Sequence, residues 1–132
     1  MSHDELVRAA DTIVLVRLGS RSNLPEQRMV RYSLHPVEVI KGRAEPAYEF
    51  LSHDFENSDN DFSGHQAKEF WNENIGRSTL FCCICGPDHG FRAGKLYLYF
   101  PDKLGAMKSA ELVADQSDEW LRYVRTKAKT QR

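Results

Sequence analysis

Two runs of β-branched and apolar residues do most to limit what this chain can fold into. The first, Thr12-Ile13-Val14-Leu15-Val16-Arg17-Leu18-Gly19, is too short for a typical helix and begins without polar alternation. It reads as a strand buried on both faces for most of its length. The second is longer and changes phase: Val30, Tyr32 and Leu34 alternate on one face, and then Val37, Val39 and the adjacent Ile40 take over. The shift falls at His35-Pro36, where proline removes a ladder donor. A bulge there lets one strand bend from one sheet into another. Lys41-Gly42 closes the run as a turn, and a third strand is expected over 47–53 with Tyr48 and Phe50 on one face.

The rest of the chain carries a mixture of signals. Glu5, Leu6, Val7, Ala9 and Ala10 suggest a short opening helical turn, and residues 20–27 have turn chemistry. Residues 54–64 are a polar, acidic connection. Ser63 and Gln66 then form a capping-box pattern ahead of Ala67, Phe70, Trp71 and Ile75, whose spacing predicts a helix over 65–75 that stops at Gly76. Strands are expected again over 78–85 and 95–101, where Leu96, Leu98 and Phe100 oppose Tyr97 and Tyr99. A final helix is signalled by Ser117 as N-cap, Asp118 and Glu119 in the first turn, and an apolar stripe of Trp120, Leu121 and Val124. Its basic residues Arg122, Arg125 and Lys127 lie toward the C-terminus, where the helix dipole favours them. Trp71 and Trp120 read as anchors holding these helices to the sheet. The expected fold is all-β with added helices: a five-stranded Greek-key barrel of the OB type, one helix between strands three and four, and a C-terminal helix.

With 132 residues, the chain is expected to form a single domain, 1–132. The formal charge is −1, and it hides a strong division. Residues 1–43 hold seven basic and five acidic side chains, residues 44–75 one basic and eight acidic, and residues 76–132 ten basic and six acidic. The acidic block reads as a solvated loop or face. Near-neutrality argues against a general nucleic-acid or anionic-membrane binder. The longest apolar run, 80–85, has six residues, so no transmembrane segment is expected.

Candidate chemistry is sparse. Cys82, Cys83, Cys85 and His89 are zinc-ligand types, but a single strand through 78–85 puts Cys83 and Cys85 on one face and Cys82 on the other. Buried inert thiols, a disulfide, or a metal site at Cys83, Cys85 and His89 are the readings left open. No helix N-terminus or basic cluster flanks 82–85 to activate a thiol, and Asp88-His89 is the nearest local acid-base pairing. His53 and His65 flank the acidic connection and, with Asp54, Asp59 and Asp61, offer cation ligands. An EF-hand loop begun at Asn57 would nevertheless place Phe62 where glycine is needed and Lys68 where the closing glutamate belongs. Tyr32, Tyr97 and Tyr99 would make a base-stacking platform if exposed beside Arg17, Arg31, Arg92 and Lys95. Half-buried strand tyrosines are the plainer reading. No catalytic motif and no cofactor motif is present.

Three ordered blocks carry a family resemblance: Ala10 through Val16; Val37-Glu38-Val39-Ile40-Lys41-Gly42; and Cys85-Gly86 followed by Phe91, Gly94, Tyr97, Leu98 and Phe100. Spanning about residues 8–101, they resemble the netrin-like domain shared with tissue inhibitors of metalloproteinases, and especially its bacterial secreted members. The resemblance implies an OB barrel and an extracytoplasmic location, either periplasmic or secreted. It also implies a disulfide from Cys85 to a cysteine upstream of this chain. It does not carry protease inhibition with it. The amino-terminal cysteine that chelates the protease zinc has no counterpart in Met1-Ser2-His3-Asp4. The expected function is therefore a non-enzymatic binding or interaction domain for a protein or small ligand. A cytoplasmic oligonucleotide-binding OB protein and a small metal- or thiol-dependent enzyme are the alternatives.

Overall fold

The computed structural model describes residues 2–27, 29–53, 63–72, 80–81, 84–87, 94–104, 106 and 108–130. The opening turn is a helix, α1 (His3–Ala9), capped by the Ser2 hydroxyl, which accepts from the Glu5 amide at 3.1 Å. Its C-terminal end is closed by Lys41, whose ammonium donates to the carbonyls of Val7 and Arg8 at 2.9 and 3.0 Å, a cation at the negative pole of the helix.

Strands β1 (Ile13–Leu24), β2 (Met29–Lys41), β3 (Tyr48–His53), β6 (Leu96–Tyr99) and β7 (Ala110–Val113) form one antiparallel sheet in the order β3-β2-β1-β6-β7. The expected phase change in β2 is present. Leu15 pairs with Glu38 and Val16 with Pro36, so Val37 is an extra residue on β2. Two further shifts leave Ile40 on β2 and Gly19 on β1 without an opposite number. At the bulge, a Cβ added to Gly19 would lie 2.0 Å from the His35 ring, so that exposed side chain would have to swing aside. The expected Lys41-Gly42 turn has Gly42 at φ 74, where an added Cβ would meet the Asp11 carbonyl oxygen at 2.1 Å. β3 runs beside β2 only from Met29 to Leu34. Val37 and Val39 lie beyond that stretch and are 49% and 46% exposed.

Over Ile13–Val16 β1 buries both faces, as its composition requires, and beyond Leu18 it is exposed or half-buried. Ile13 and Leu15 join Leu98, Phe100 and Val113 under α1 and α2 (Glu119–Thr130). Val14, Val16 and Leu18 join Val30, Tyr32, Leu34, Phe50, Tyr97 and Tyr99 on the opposite face. The sheet is strongly curled. In a flat sheet β3 and β6 would stand about 14 Å apart, three strand spacings, yet the rings of Tyr48 and Tyr99 are 5.6 Å apart. It is not closed among the described residues: β3 and β7 remain its two ends. Burial, with the Tyr48 ring alongside, raises the Tyr99 phenol above its usual range.

Four expectations are corrected. The turn expected over 20–27 is strand as far as Leu24, with only the 3-10 turn Pro25–Gln27 beyond it. The strand over 78–85 is instead two short strands, β4 (Leu80–Phe81) and β5 (Ile84–Pro87), paired with each other in a separate sheet, with Phe81 opposite Ile84. An unbroken apolar run has no period to distinguish one strand from two paired ones, and the face assignment of the cysteines rests on Cys82, Cys83 and the Cys85 side chain, which lie outside the described residues. In the described part of the helix expected over 65–75, residues 65–72, there are instead two 3-10 turns, Ser63–His65 and Lys68–Trp71, held by bonds such as Phe70 N–H to Ala67 C=O at 3.2 Å. Gly64 and His65 adopt φ values of 76 and 56, which an α-helix cannot accommodate. The fifth strand of the main sheet is β7, a segment without β-branched alternation that the sequence pattern does not mark.

Candidate functional site

Polar chemistry converges where the 3-10 turns, β7 and the start of α2 meet. His65 is held between two carboxylates: Nδ1 lies 2.7 and 2.8 Å from the oxygens of Asp118, and Nε2 lies 3.1 Å from Glu111. All three residues are 1% exposed. Burial alone would lower the imidazole pKa. The hydrogen bonds and charges of Asp118 and Glu111 outweigh it and raise the pKa to about 9. The ring is thus a protonated bridge near neutral pH, donating from both nitrogens.

Asp118 is also the N-cap of α2. Its Oδ1 accepts from the amides of Trp120 and Leu121 at 3.0 and 3.3 Å, and Oδ2 accepts from Ala114 N–H at 3.2 Å. The expected cap at Ser117 is therefore one residue early. Ser117 instead donates its amide and hydroxyl to Asp115 at 2.8 and 2.6 Å, and those bonds hold the Asp115 carboxyl below its usual range. Lys108, 2% exposed with φ 71, donates to the Asn72 carbonyl at 2.8 Å and places its ammonium 4.7 Å from the Phe70 ring. Phe70 in turn lies 4.3 Å from the His65 ring.

This buried cluster supports an open one. The His65 carbonyl accepts from the Trp71 indole N–H at 3.1 Å, fixing that ring above α2. Trp71 meets Tyr123 edge-on at 5.3 Å, and Tyr123 stacks on the fully buried Trp120 at 5.8 Å with 12° between planes. His3 packs edge-on against Trp71 and Tyr123 at 5.4 and 5.3 Å. The outer side is a cleft of about 410 Å³ lined by Trp71, Glu119, Arg122, Tyr123 and Thr126. Glu119, Arg122, Tyr123 and Thr126 fall at helix positions i, i+3, i+4 and i+7, one face of α2.

Cys82, Cys83, Asp88, His89, Arg92, Asp54, Asp59 and Asp61 lie outside the described residues. Cys85 falls in β5, but its side chain, and hence any disulfide or metal role, also lies outside them. His65 is engaged by Glu111 and Asp118. The two carboxylates sit on opposite ring nitrogens, so one ion cannot be shared by all three groups. No group of three or more metal-ligating side chains is found among the described residues. Tyr97, Tyr99 and Tyr32 are 0%, 1% and 6% exposed. They are core residues, more buried than expected, and form no stacking platform. Arg17, Arg31 and Lys95 are exposed, as is His35, which covers Gly19. Trp120 anchors α2, and Trp71 is half-buried as one wall of the cleft. Sequence reasoning missed Glu111, Lys108 and the row from Glu119 to Thr126. Only the last had a signal, its helical spacing. Comparisons with protein-family models, curated proteins and solved structures find no match to this chain.

Proposed function

We propose that the chain is a non-enzymatic binding domain, of netrin-like OB type and from an extracytoplasmic bacterial protein. The observation that carries the binding role is the division of labour around Trp71. The reactive-looking imidazole of His65 is enclosed and committed on both nitrogens, while the cleft beside it exposes two aromatic rings and two charged side chains. Small-ligand sites combine this kind of apolar wall with a few placed polar groups. The family reading draws support from the strand order β3-β2-β1-β6-β7 and the curl that brings Tyr48 to Tyr99. A five-stranded Greek-key barrel opened along one seam has this order. Among the described residues, no helix is long and apolar enough to cross a membrane.

Two measurements test the proposal. An NMR screen of small molecules and peptides against the labelled protein is expected to give saturable shifts at Trp71 and residues 119–126, with ligands recovered unchanged. Ligand conversion that disappears on replacing Cys83, Cys85 or His89 overturns the binding reading. Amide-to-amide contacts between β3 and β7 would complete a barrel, and their absence from a full set of backbone contacts would sink the OB assignment.

A further inference from the structure

Resting on that reading of a binding domain, we propose that the cleft between Trp71 and α2 is a carbohydrate site, taking neutral, multiply hydroxylated rings. Its volume of about 410 Å³ lies in the small-ligand range, but the cleft is shallow and open. It therefore suits a ligand that binds through one face and leaves its other side in water. The floor offers such a face a partner. Tyr123 is stacked on Trp120 and Trp71 is fixed edge-on to Tyr123. The rings are thus pre-positioned, and little rotamer freedom remains to be lost on binding. The C–H face of a pyranose is apolar and matches the half-buried Trp71 ring that walls the cleft.

The polar lining gives no advantage to a ligand carrying charge of a single sign. Glu119 and Arg122 contribute one charge of each sign to the same wall, so the lining among the described residues has no net charge. An anion meets Glu119, and a quaternary ammonium meets Arg122 as well as Lys127, whose ammonium is 5.6 Å from the Tyr123 ring. Neither Glu119 nor Arg122 has a side-chain hydrogen bond or ion pair among the described residues. One is an acceptor only and the other a donor only. Hydroxyl groups satisfy both, since each can donate and accept. The Thr126 hydroxyl already donates to the Arg122 carbonyl at 3.0 Å, so it presents lone pairs to a further hydroxyl. A proline-rich peptide would take its carbonyl bond from an exposed indole N–H on an aromatic-lined groove. Here the Trp71 N–H is already spent on the His65 carbonyl.

Cellotriose, maltotriose and chitotriose titrated into the isotope-labelled full chain test the assignment. At least one is expected to give saturable shifts of the Trp71 indole N–H and the amides of 119–126. Arg122→Ala should weaken that binding about tenfold, the loss of a hydrogen bond to a charged group, and Glu119→Gln should weaken it less. Both positions are exposed, and an unchanged melting temperature confirms that each variant is folded. No saturable shift with any of the three sugars overturns the proposal. So does binding indifferent to Arg122→Ala, or a decaproline peptide bound at the same residues. If other ligands from the screen occupy the cleft while all three sugars fail, the carbohydrate assignment falls and the binding domain stands. If nothing binds there, both fall.

Discussion

β1 and β7 belong to the same sheet but are buried by different means. β1 enters the core on side chains alone: Ile13, Val14, Leu15 and Val16 are each 0% exposed, and each contributes roughly 1.5–3 kcal/mol of transfer free energy, before the entropy of ordering it. β7 enters with a glutamate in its middle. Glu111 is 1% exposed, more buried than the adjacent Leu112, and an unpaired carboxylate there would cost several kcal/mol. It is tolerated because His65 reaches it from the 3-10 turn and is itself balanced by Asp118. The apolar region is therefore stabilised locally and additively. The charged region depends on three segments, 63–65, 110–113 and 118–121, being in place together.

That contrast can be broken most directly at Asp118. Asp118→Ala removes both a helix cap and one side of a buried ion pair, and should destabilise the fold by about 4 kcal/mol, read as a shift in the urea midpoint. A loss under about 1 kcal/mol would mean that the charged cluster is incidental to β7. Val16→Ala, the matched change in the apolar region, should cost about 2 kcal/mol and be insensitive to pH between 6 and 10.

The pH profile sharpens the difference. The His65 pKa is raised from 6.5 to about 9 on folding, so its contribution is fully present below about pH 6.5 and disappears as pH rises through 9. Stability of the native protein should fall by about 3 kcal/mol over that window. In His65→Gln the corresponding segment of the profile should be flat. A native profile that is already flat would place the imidazole in its neutral form and remove the argument for a charged bridge. The smallest effect is expected at the surface. Arg125 holds Glu38 and Gln116 from α2, but both charged partners are substantially solvent-exposed. Arg125→Ala should change stability by about 1 kcal/mol or less, and less still in high salt.

The legible parts of the fold follow the same division. β1 is marked by an unbroken apolar run, β2, β3, β6 and α2 by period-two or period-3.6 apolar residues, and the bulge in β2 by a phase change beside proline. In each, burial is apolar and the pattern displays it. The 65–75 segment has helical spacing at Ala67, Phe70 and Trp71, yet tertiary bonding wins. His65 turns into the left-handed region to reach its carboxylates, and the helix cannot start. β7 was hidden for the complementary reason, because a glutamate inside a four-residue strand reads as solvent-facing. As for the candidate site, Trp71 and the helix carrying its other wall were visible, whereas the His65 carbonyl that fixes Trp71 was not. Pairs formed between positions 46 and 53 residues apart leave no local trace.

The unequal lengths of β2 and β3 bear on how copies of this chain behave at high concentration. Past Leu34, β2 has outrun β3 and turns two valines outward, a combination that in a regular strand invites another chain to add itself to the sheet. Here that stretch contains Pro36, which has no N–H to offer, and two residues, Val37 and Ile40, that fall out of step with β1. An incoming strand would find one donor missing and its pleat out of register within a few residues. The bulges that bend β2 therefore also guard against edge-to-edge aggregation, and straightening them would trade a curved sheet for a sticky one.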